Sequence, residues 1–76
     1  MDSLQALISE ARAEYQRNEM EDPVLLDGTS EMHARKALNH LHDQRWDDAL
    51  REAHIAAEQR DRWTRFLEIV MRVHAS

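Results

Sequence analysis

Apolar residues recur along this chain at the 3.6-residue period of an amphipathic helix, in successive stretches separated by polar punctuation. In the first stretch Leu4, Leu7, Ile8, Ala11 and Tyr15 obey the i, i+3, i+4, i+7 rule. They predict a helix from about Ser3 to about Glu19. Asp2 with Gln5 three residues later has the form of a capping box, and Ser3 is the rival cap. Glu10, Arg12 and Gln16 fall largely outside the stripe, and Glu14 with Arg17 reads as a surface pair. Pro23 disfavours helical geometry at the residue before it, and Gly28 precedes Thr29 or Ser30 as the next cap. Residues 20–29 therefore read as a connector. It holds three consecutive apolar residues, Val24, Leu25 and Leu26. They suit either a lid tucked under the bundle or an exposed anchor for a partner.

The second stretch, from about Glu31 to about His42, buries Ala34, Ala37, Leu38 and Leu41. Asp43-Gln44-Arg45 is too short to be anything but a tight turn between antiparallel neighbours. Trp46 stands where a hydrophobic staple would, and Asp47 and Asp48 put negative charge on the first turn of the next helix. The inner face of that helix, Ala49, Leu50, Ala53, Ala56 and Ala57, is small enough for two helix backbones to approach closely. No Gly or Pro occurs from Asp47 to Ser76. The polar run Gln59-Arg60-Asp61 allows a break without compelling one, and the reading favours one long helix or a soft bend.

The last segment is apolar on more than one side. Trp63, Phe66, Leu67, Val70 and His74 share a face, and Ile69 and Val73 extend it round the helix. A helix of that kind is buried on more than one side. The predicted architecture is all-α: a single domain over residues 1–76, a small three-helix bundle made of a helical hairpin plus an N-terminal helix, with the last helix long or bent. So few elements leave the final helix short of cover. Trp63, Phe66, Leu67, Ile69, Val70 and Val73 are accordingly expected to form a homodimer seam or a partner site, with Val24, Leu25 and Leu26 as a further anchor.

Charge and composition narrow the partner. The net charge is −5, with eight acidic and two basic side chains in residues 1–31 and seven acidic and eight basic in the rest. No basic stripe of the kind that binds nucleic acid is present, so DNA and RNA are not the expected partners. There is no cysteine, hence no disulfide framework and no thiolate metal site. No apolar run exceeds three residues, Ile69-Val70-Met71 among them, which gives no membrane span. The start of the chain lacks the pattern of a signal peptide, which points to the cytoplasm.

Residues 34–59 carry Trp46 at a turn, the acidic pair Asp47-Asp48, then Ala49-Leu50, Ala53 and Ala56. In that pattern they resemble one tetratricopeptide-type helical hairpin. The first helix departs from the family pattern: Lys36 or Ala37 stands where a leucine is usual, and the terminal proline is absent. The resemblance covers about a third of the chain and one unit, whereas repeat arrays need about three. It implies a helical hairpin, not a repeat array. Similar shapes occur in small type III secretion chaperones, in short phage-encoded inhibitors and in HEPN-type domains. Some of the last are ribonucleases with an arginine and a following histidine separated by four to six residues. Arg35 and His40 fit that spacing, but early in the chain where the family's motif comes late.

The remaining candidate chemistry is thin. Five histidines are present, and His33, His40, His42 and His54 lie on or beside the hairpin. A zinc site needs three or four converging ligands, and neither HExxH nor a paired Glu-x-x-His motif occurs. They read as surface or boundary side chains. Glu19, Glu21, Asp22 and Asp27 lack the alternation of a calcium loop. Arg60, Arg62 and Arg65 either solvate a helix face or grip a partner's carboxylates. No serine sits in a nucleophile elbow, and no phosphate loop exists. The expected function is a non-enzymatic protein–protein interaction module without cofactor: an inhibitor or adaptor, with a secretion-type chaperone or a subunit of a larger complex as the alternative, and a HEPN-like ribonuclease behind both.

Overall fold

A computed structural model of the chain describes residues 3–21 and 28–76. Among these residues the fold is all-helical. It comprises α1 (Ser3–Glu21), α2 (Gly28–His42), α3 (Trp46–Gln59), a 3-10 turn (Asp61–Trp63) and α4 (Thr64–Ala75). The stripes predicted for α1, α2 and α3 point inward. Ile8, Ala11 and Tyr15 from α1, Ala34, Ala37 and Leu41 from α2, and Ala49, Ala53 and Ala56 from α3 are all buried. Alanine on both sides lets α2 and α3 approach closely, and this hairpin is the most extensive helix pair.

Side-chain contacts fix the directions of the helices. His33 meets Glu52 across the hairpin, and His74 at the end of α4 meets Asp47 at the start of α3. Arg62 and Arg65, at and just after the 3-10 turn, reach Asn18 and Glu14 near the end of α1, while Arg72 reaches Glu10. Consecutive helices therefore alternate in direction, and α4 returns alongside both α1 and α3.

Three local expectations change. The long or bent last helix is two helices. Arg60 adopts extended geometry (φ −143°, ψ 123°), its N–H still closing α3 on the carbonyl of Ala56 at 3.0 Å. Its own carbonyl then accepts from the Trp63 N–H at 3.1 Å and opens the 3-10 turn. A helix continued straight from α3 would carry Trp63 away from α1. The break swings the indole into the interior, where it stacks on Tyr15 with centroids 5.7 Å apart and meets Phe66 edge-on at 5.8 Å. Secondly, α2 begins at Gly28, so Thr29 and Ser30 lie within its first turn instead of preceding it, and Ser30 is fully buried. Thirdly, α3 begins at Trp46, one residue earlier than expected, and Arg45 provides no side-chain cap. The proposed cap Asp2 and the apolar trio Val24, Leu25 and Leu26 lie outside the described residues.

The α2–α3 turn has a specific closure. The Arg45 N–H donates to the carbonyl of His40 at 2.8 Å and the Gln44 N–H to that of Leu41 at 3.2 Å. Gln44 sits in the left-handed region at φ 61°. Together these form a Schellman motif, which satisfies the orphan carbonyls of α2 with a glutamine where glycine is usual.

Candidate interaction surface

The six residues expected to face a partner are placed mostly inside the fold. Trp63, Phe66 and Val70 have no exposed surface, and Ile69 and Val73 are buried, while Leu67 is half-buried against the core. The physical reason follows from the Arg60 break. With two separate helices the chain has four elements, and α4 finds a neighbour on each of its apolar sides, α1 on one and α3 on the other. The surface sought for a second copy is therefore occupied by the chain itself.

Of the arginine cluster, Arg60 is exposed, whereas Arg62 and the exposed Arg65 reach back to α1. Arg62 donates to the backbone carbonyl of Asn18 at 2.6 Å and to its side-chain Oδ1 at 3.3 Å. Asn18 is buried and donates to the carbonyl of Glu14 at 3.1 Å. Glu14, expected on the surface, is also buried. Its carboxylate takes Arg17 at 2.6 Å and lies 3.6 Å from Arg65. A buried carboxylate is tolerable only with such partners. Arg62 and Arg65 thus grip the chain's own α1. Among the described residues, one buried side-chain donor lacks a hydrogen-bond partner, the Nε1 of Trp63.

Tyr15 donates to Glu31, whose other oxygen pairs with Arg35 at 3.0 Å. Burial, then the hydrogen bond to Glu31 and the charges of Glu31 and Glu19, hold the Tyr15 phenol well above its ordinary pKa. Arg35 is thereby engaged with Glu31, and no contact joins it to His40. Of the other histidines, His42 accepts from Arg12 at 2.8 Å, His33 meets Glu52 at 2.5 Å and His74 meets Asp47 at 2.7 Å. Among the described residues no three His, Asp or Glu side chains converge as metal ligands would.

Among the described residues, the large hydrophobic side chain most open to solvent is one that the sequence reading did not single out. Met20, near the end of α1, is 81% exposed, well beyond Met71 at 47% and Met32 at 37%. It borders a shallow depression of about 520 Å³ lined by Ala13, Gln16, Arg17, Met20 and Glu21, with mainly apolar walls. Two further depressions have mainly polar walls. One lies at the Arg60 break, between Asn18, Glu21, Arg60, Asp61 and Arg62. The other lies at the α2–α3 turn, between Gln44, Trp46, Asp48 and His74. The sequence did carry a signal for the apolar one. Ala6, Ser9, Ala13, Gln16 and Met20 are spaced 3, 4, 3, 4 and fall on the side of α1 opposite its buried stripe, free of charge in a chain that is 33% charged. These residues are weakly hydrophobic, so the stronger inner stripe masked them.

Comparison with protein-family models, with curated proteins and with solved structures gave no match. Among the described residues no helix is long and apolar enough to cross a membrane.

Proposed function

We propose that this chain is a protein–protein interaction module, an inhibitor or adaptor that alters a target by binding it through the outer face of α1. The observation that carries the reading is Met20. A methionine 81% exposed beside an apolar-walled depression is a flexible, polarisable contact on a surface otherwise rich in charge. The likeness of residues 34–59 to a tetratricopeptide-type hairpin agrees with it, since such helical units build protein-binding surfaces. The contacts of Arg62 and Arg65 with α1 and the stacking of Trp63 on Tyr15 hold α1 against the last part of the chain, which orients this face.

The test is photo-cross-linking in the producing cell from a reactive residue at position 20, with position 51 on α3 as control. A discrete protein adduct should form from position 20 and should disappear when Gln16→Glu and Ala13→Glu charge the depression, with helicity unchanged. An adduct that survives those substitutions, or one formed only from position 51, would contradict the reading.

A further inference from the structure

The outer face of α1 has a geometry that names one occupant. Ala6, Ser9, Ala13, Gln16 and Met20 are all exposed and repeat at the 3-4 spacing of a coiled-coil seam. Arg12 and Glu19 flank the seam on one side, and Glu10 and Arg17 flank it on the other, all exposed. We infer that this face pairs with the same face of a second copy of the chain, antiparallel. The inference rests on the reading above that the outer face of α1 is the binding surface, and it assigns a second copy as the occupant of that face while no target is bound.

The register follows from the spacing. Two antiparallel copies of the seam bring Ala13 level with Gln16 of the second copy and Ser9 level with its Met20. The long methionine of each helix then lies over the small side chains of the other, as a knob in a hole. An antiparallel pair sets each flank against the same flank of its partner. Glu10 then faces Arg17 of the second copy, and Arg12 faces its Glu19, each contact occurring twice by symmetry. All four are attractive. A parallel pair would instead set Arg12 against Arg17 of the second copy, which is repulsive. The charges therefore select both self-pairing and its direction. Arg12 and Arg17 already contact His42 and Glu14 within the chain, each through a single guanidinium nitrogen, and Glu10 lies 3.5 Å from Arg72 through one carboxylate oxygen, which leaves its other oxygen open. A guanidinium carries five donors, so both can serve an external carboxylate as well.

One helix pair of this length buries less than the roughly 1,200 Å² of a stable complex. The dimer should accordingly be weak, with a midpoint on the order of 100 µM. Sedimentation equilibrium of the full chain, from micromolar to about 1 mM, tests it. The wild-type chain should dimerise at the upper end. Arg12→Glu and Glu19→Arg should each weaken the dimer about tenfold. The double substitution should restore it, with circular dichroism verifying the fold of every variant. A chain monomeric throughout overturns self-pairing, and the position-20 adduct then decides independently whether a foreign protein takes the face. Strengthening by Arg12→Glu would mean parallel pairing, and indifference to both single substitutions would mean another face; either overturns the inference.

Discussion

At position 63 an indole with no exposed surface stacks on Tyr15 and meets the edge of Phe66, so a single side chain joins α1, the 3-10 turn and α4. Truncating a buried aromatic costs about 3–5 kcal/mol. A domain of this size has little more than that in total. Trp63→Ala combined with Phe66→Ala should therefore leave the chain unfolded, read as loss of helical ellipticity, and not as a folded chain deprived of a partner. Tyr15 gives a second residue-scale prediction. Its pKa is raised in the folded state, so the folded chain retains the proton that the unfolded chain loses near pH ~10. The stabilisation is fully present below that pH and is lost as pH rises toward the folded value. Thermal melts should show stability falling above pH ~10, and Tyr15→Phe should flatten that fall. Tyr15 is the only tyrosine, so its absorbance titration reports the same group directly. A wild-type and variant alkaline profile that coincide would contradict the buried Tyr15–Glu31 contact.

Among the elements, the α2–α3 turn invites the clearest change. Gln44 holds φ 61°, a region that costs a side-chain-bearing residue roughly 1 kcal/mol. Gln44→Gly removes that cost and keeps both closing hydrogen bonds. The expected gain is about 0.5–1 kcal/mol, or several degrees in Tm, and an unchanged or lowered Tm would contradict the assigned turn. The Arg62 clamp on Asn18 should behave oppositely. Arg62→Leu strips the partner from a buried amide and a backbone carbonyl and should cost about 1–3 kcal/mol in a thermal melt. The helices themselves were legible because α1, α2 and α3 each repeat apolar residues at a helical period. The Arg60 break was not. It is set by Trp63 meeting Tyr15, a contact with the opposite end of the chain that no local run of residues encodes. Glu14 and Asn18 looked like surface residues for the same reason. Their burial depends on Arg62 arriving from the 3-10 turn and Arg65 from α4. On the site, the sequence showed that α4 is apolar on two sides, and the structure supplied the covers. The outer seam of α1 was readable as spacing and unreadable as hydrophobicity, because alanine, serine and glutamine score weakly.

At the scale of the whole molecule, folding and association are separate events. Trp63 and Phe66 close the interior of one chain, and the outer face of α1 is left exposed. Folding should then be complete in the monomer, with association adding only weak stabilisation at high concentration. If instead α4 were covered by a second copy, helix formation and dimerisation would be one event. The most direct measurement is helical ellipticity and Tm on dilution into the range where sedimentation shows only monomer. The account predicts full helicity and a cooperative melt that no longer shifts with further dilution. Helicity that falls as the dimer dissociates would contradict it, and would return Trp63, Phe66 and Val70 to an interface between chains.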